Sequence, residues 1–202
     1  MKSLLLVISF LTIGLMSADA QNDNEMGNTS DLSYYEIPDY PEQYTPGSMV
    51  ARMIDGLGYR YYWATEGLTE KDLAYEPGND GRTAGQTIDH IYGLSRSIVN
   101  CAMKKPNVRV SEELTFAETR KKTLENIKRA SDLFKASNSE DMEEFKVVFK
   151  RGDQTAEFPI WNLLNGQLAD AIYHVGQIVS YRRSSGNPMD PRVNVFSGKN
   201  RE

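Results

Sequence analysis

The 202 residues include one cysteine and two histidines, and acidic side chains outnumber basic ones by 28 to 23. Each scarcity excludes something. A single cysteine, Cys101, forbids an intrachain disulfide and any cysteine-rich zinc site. A net charge of −5 supplies no cationic excess for neutralising phosphates, so no nucleic-acid partner is expected. The longest apolar run, Leu4 to Met16, falls short of the ~20 residues that cross a bilayer. Two histidines leave few imidazoles for a metal, and what matters is whether they are used together. What is present, 40% apolar and 25% charged residues, is the composition of a globular domain with enough chain for a core.

Lys2, the run from Leu4 to Met16 and the small-x-small triplet Ala18-Asp19-Ala20 predict a signal peptide over 1–20, cleaved after Ala20. The cleavage point carries no cysteine, which argues against a lipid anchor. The mature protein is therefore expected to be exported, periplasmic or secreted, with no membrane anchoring. In that oxidising compartment the lone Cys101 is expected to be buried. Residues 21–47 have no helical or alternating period and read as a mobile leader whose tyrosines dock on the domain surface. Asn28-Thr29-Ser30 fits a glycosylation sequon, which matters only in a eukaryotic secretory pathway. The domain proper spans 48–188, and 189–202 is a C-terminal tail.

Met49, Val50, Met53, Ile54, Leu57, Tyr61 and Ala64 recur at three- and four-residue steps and predict a first helix ending near Gly67-Leu68. Leu68 to Leu73 reads as a short capped turn. Thr83 with Gln86 forms a capping box for a second helix from Ala84 to Met103, stopped by Pro106. Thr115 with Glu118 opens a third, to Ala136. Alternation of Phe145, Val147 and Phe149, then Ala156 and Phe158, around Arg151-Gly152-Asp153 predicts a β-hairpin; the triplet suits a turn better than an adhesion motif. A fourth helix runs from Ile160 to Ser184 and ends at Gly186-Asn187-Pro188. The expected fold is all-α: a four-helix bundle with a small hairpin before the last helix.

The last helix carries the chemistry. At 100° per residue, Leu163, Gln167, Asp170, His174, Gln177 and Tyr181 share one sector, flanked by Leu164, Ala171, Val175 and Ile178. Polar groups facing a core need partners, and a stripe of them points to a wet pocket or a metal. Asp170 and His174 leave one face a turn apart and can reach one ion, and His90 on the second helix shares the inward sector of Thr87, Leu94, Ser97 and Cys101. His90, Asp170 and His174 would form a two-histidine, one-carboxylate set that leaves coordination positions open for water or substrate. The competing reading is a pair of core histidines hydrogen-bonded to backbone or to Asp170. Gln167, Gln177 and Tyr181 stand as candidates for orienting water or the ligands, or as interior hydrogen-bonding groups. Asp89 points about 100° away from His90 and reads as a surface charge. Cys101, about 16 Å along the helix from His90, reads as core packing. Tyr61, Tyr62 and Trp63 read as pocket-lining or core aromatics.

Gly67-Leu68-Thr69-Glu70-Lys71-Asp72-Leu73, Pro77, Thr87-Ile88-Asp89-His90-Ile91, and Tyr173-His174-Val175-Gly176-Gln177-Ile178 followed by Arg182-Arg183 and Gly186-Asn187-Pro188 together resemble the DinB/YfiT-like superfamily. The resemblance covers Met49 to Pro188. It implies a DinB-like four-helix bundle and a divalent metal, Zn, Ni, Fe or Mn, held by one histidine of the second helix and a His-x-x-x-His pair of the last. His90 takes the first position and His174 the last; Asp170 stands where the family has a histidine. That carboxylate favours Fe(II), Mn(II) or Zn(II), or marks a relative that has lost its metal. The expected function is a metal-dependent hydrolase or transferase acting on a small molecule, with a non-catalytic binding or structural module as the alternative. Bundles of this kind often associate through a helix face, so a homodimer is one expected assembly.

Overall fold

Four threonines set where four helices begin. In the computed structural model, which describes residues 32–78 and 80–202, Thr45 caps α1 (Pro46–Thr65), Thr69 caps α2 (Glu70–Leu73), Thr83 caps α3 (Ala84–Ala102) and Thr115 caps α4 (Phe116–Lys135). In each, the threonine hydroxyl accepts from the backbone N–H three residues on. That third residue, Ser48, Asp72, Gln86 or Glu118, accepts in return from the threonine N–H. The signal segment, the sequon and the start of the leader lie outside the described residues. α1 begins at Pro46, ahead of its apolar stripe, because proline at the first helical position and a serine closing the box together start the helix there.

After α4 a 3₁₀ turn (Ser139–Glu144) leads into β1 (Lys146–Arg151) and β2 (Gln154–Pro159), an antiparallel pair with Val147 opposite Phe158 and Phe149 opposite Ala156. Arg151-Gly152-Asp153 lies at the hairpin turn, where Gly152 takes φ +58°, a value most side chains disfavour. The last helix is not uniform. α5 (Ile160–Asn162) passes into a π-helical segment (Leu163–Leu168) and then α6 (Ala169–Ser185). Leu163 and Leu168 are five residues apart, which would set them about 140° apart on a regular α-helix. The wider π turn brings both fully into the core. Gly186 at φ +97° ends α6.

α1 and α3 each pack against both α4 and α6, so the four long elements close around one core. Ile54 and Leu57 of α1, Ile91 and Ile98 of α3, Leu124 and Ile127 of α4, and Ile178 of α6 are among its buried side chains. The molecule is thus mostly helical, with a small antiparallel hairpin before the last helix. Met49 and Met53, in the stripe assigned to α1, face solvent instead. Cys101 is fully buried, and burial pushes its thiol up to about 12, so it stays protonated and inert. No helix among the described residues is long and apolar enough to cross a membrane.

Leader and tail pack together on α1. Tyr34 is buried over Gly58 and donates its hydroxyl proton to Asp55 Oδ1 at 2.9 Å, while Trp63 Nε1 donates to the Tyr35 carbonyl at 3.1 Å. The Ile37 N–H donates to the Gly198 carbonyl. Tyr59 joins the tail to the bundle, donating to Asn200 Oδ1 at 2.8 Å and accepting from the Asn194 N–H. Arg182, buried near the end of α6, donates to the carbonyls of Trp63, Ala64 and Asn187.

Candidate metal centre

The packing of α3 against α6 brings His90 to Asp170 and His174, which follow directly on the π segment. His90 Nε2 lies 3.3 Å from Asp170 Oδ2, and His174 Nε2 lies 3.3 Å from Asp170 Oδ1. The imidazole centroids are 4.6 Å apart with the rings at right angles. One ligand atom from each residue falls within 4.8 Å of the others, so this group could hold a metal ion. Ligand atoms around an ion with bonds near 2.1 Å sit about 3.0–3.4 Å from their neighbours. The 3.3 Å separations match that spacing, and the contact from His90 Nε2 to Asp170 Oδ2 is equally within hydrogen-bond reach.

Hydrogen bonding orients one of the rings. His174 Nδ1 lies 2.6 Å from Gln177 Oε1, and a carboxamide oxygen can only accept. A ring proton on Nδ1 satisfies that contact, and in the neutral tautomer Nε2 would then turn its lone pair toward the Asp170 carboxylate. Two acceptors facing each other at 3.3 Å repel unless a cation, a proton or a metal ion, lies between them. Exposure grades across the site: the His174 side chain is 11% exposed, His90 31% and Asp170 44%, so the carboxylate side opens to solvent.

The other residues singled out divide. Gln177 joins the site through His174, and its amide donates at 3.4 Å to the Tyr173 hydroxyl, whose ring centroid lies 5.3 Å from that of His174. Gln167 lies within the π segment, and its Oε1 is buried with no hydrogen-bond partner among the described residues. Tyr181, two turns beyond His174, packs against Tyr75 with ring centroids 5.7 Å apart and the planes tilted by 44°. Tyr62 and Trp63 pack with Tyr35. Asp89 is exposed. Tyr173 is the neighbour that sequence reasoning missed. It is an exposed aromatic off the polar stripe, and its signal was the four-residue spacing to Gln177.

Comparison of the chain with protein-family models, with curated proteins and with solved structures gives no match.

Proposed function

We propose that the chain is an exported DinB-like four-helix-bundle protein that holds one divalent metal through His90, Asp170 and His174 and acts as a hydrolase or transferase on a small molecule. The observation that carries this reading is the convergence of His90, Asp170 and His174 from two helices, with one ligand atom of each within 4.8 Å of the others. Two imidazoles and a carboxylate suit Zn(II), Fe(II), Mn(II) or Ni(II), with the carboxylate favouring the harder ions. When bound, such an ion supplies Lewis acidity, activating water or polarising a substrate oxygen.

This chain's residues provide the frame. Gln177 fixes the His174 ring by accepting from Nδ1–H, the arrangement by which ligating histidines are oriented. Asp170, the most exposed of the three, faces the side from which a small substrate enters. Export rests on the pattern of residues 1–20, and the DinB-like assignment on the motifs from Gly67 to Pro188 together with the hairpin before the last helix.

A second reading, a metal-free binding or structural module, draws on the same contacts. Asp170 reaches both imidazoles, so a protonated His174 would also satisfy the carboxylate. Hydrolysis of a panel of small esters, amides and phosphoesters, assayed after loading with each of the four metals, separates the two. Metal-dependent turnover lost in Asp170→Ala supports the enzyme; no turnover with any metal supports the module.

A further inference from the structure

A second feature lies on α3, on the face beside that of His90. Gly93, Arg96, Ser97 and Asn100, at three- and four-residue steps, form one wall of a cleft of about 950 Å³. The opposite wall is the 107–109 segment with the end of β1 and its turn. These walls are tied together. Asn107 pairs with β1, its N–H and side-chain amide donating to the Val148 carbonyl at 2.7 and 3.0 Å, and its carbonyl accepting from the Lys150 N–H. Asn100 Nδ2 donates to Asn107 Oδ1 at 3.0 Å, joining α3 to the same strand.

Charge and burial then single the cleft out. Arg96, Arg109, Lys150 and Arg151 line it and no carboxylate does, in a chain of net charge −5. Among the described residues none of these four makes an ion pair within 4.0 Å; Arg96 lies 5.9 Å from the Tyr92 ring centroid and feels Glu112 only at longer range. Ser97 lines the same cleft at 6% exposure, and its Oγ has no hydrogen-bond partner among the described residues. A buried hydroxyl without a partner is costly unless a ligand or water supplies one. Val108 and Phe149 add apolar surface between the cations. The adjoining cleft, which shares Gly93 and Arg96, is lined by Asp89, Glu112, Glu113 and Glu118, so an anion is confined to the basic end.

We propose that this cleft binds a small phosphate monoester. The guanidinium groups of Arg96 and Arg109, with Lys150 and Arg151, hold the dianion, the Ser97 hydroxyl completes its hydrogen bonding, and Val108 and Phe149 receive the organic group. The site uses none of the three candidate metal ligands and stands apart from the proposed activity.

The test titrates the full chain, freed of metal with EDTA, with phenyl phosphate and with inorganic phosphate, followed by amide chemical shifts and calorimetry. Both are expected to saturate, phenyl phosphate more tightly, with shifts centred on Ser97 and Lys150. Arg96→Gln with Arg109→Gln weakens binding about tenfold or more, and the independent pair Lys150→Gln with Arg151→Gln, on exposed side chains, weakens it without changing the melting temperature. His174→Ala binds as the parent does. Absence of saturation, affinity equal to the parent's in both double variants, or binding abolished by His174→Ala overturns the proposal.

Discussion

His174 donates its Nδ1 proton to Gln177 Oε1 across 2.6 Å, and this contact decides what the rest of the site can be. With that proton on Nδ1, a neutral ring would turn its Nε2 lone pair toward Asp170. A glutamine one turn along the helix thereby orients the ring in the way that ligating histidines are oriented.

Gln177→Leu should accordingly lower metal affinity about 10- to 100-fold while leaving the fold intact, since Gln177 is only partly buried. Gln177→Glu, which keeps the acceptor and adds charge, should retain or tighten binding. Competition against a chromophoric chelator measures both. Equal affinity in all three proteins would remove Gln177 from the site.

Arg182 is the buried tie between the end of α1 and the end of α6. Its guanidinium serves the Trp63, Ala64 and Asn187 carbonyls at once. Arg182→Met should leave these carbonyls unpaired and cost on the order of 2–4 kcal/mol in urea unfolding. Arg182→Lys should recover little, because an ammonium cannot reproduce the planar fork.

Asp72 gives the fold an acid-sensitive joint. Its burial favours the neutral acid, but hydrogen bonds from Ser185, Asn187 and Thr69 outweigh that and hold the carboxyl well below the usual carboxylate range. Because the folded pKa lies below the unfolded value of 3.8, the stabilisation is complete above that value and is lost as pH falls beneath it. Asp72→Asn should be less stable than the parent by about 2 kcal/mol near neutral pH, and the gap should close on acidification. Unfolding free energies at a series of pH values provide the check; a pH-independent gap would contradict it.

Gly58 lets the leader dock. A Cβ there would lie 2.6 Å from ring carbons of Tyr34, so Gly58→Ala should displace that ring and break its bond to Asp55. Limited proteolysis should then cut within residues 32–45 before the bundle unfolds. Unchanged protection would show that the ring can shift without undocking.

Local chemistry made much of this legible in the sequence. The threonine boxes at Thr69, Thr83 and Thr115 and the stop at Gly186 depend on residues within one turn, so their positions follow from short motifs. The meeting of His90, Asp170 and His174 followed from helix faces that both point inward. What escaped depends on wider context. The π turn at Leu163–Leu168 answers the demands of a core assembled from other helices, and a constant 100° step cannot register it. Tyr181 shares the sector of His174 on paper, yet finds its partner in Tyr75, a residue from a distant loop. Tyr59 and Asn200 are joined across 141 residues of chain, and no periodicity carries such a contact.

Service of both histidines in one metal site is checked by elemental mass spectrometry of full-length protein purified without a histidine tag, dialysed with each divalent metal and freed of excess. The parent should retain one equivalent, and the Asp170→Ala and His174→Ala variants, folded by circular dichroism, should retain none. Parent protein without stoichiometric metal, or variants that keep it, would contradict the account.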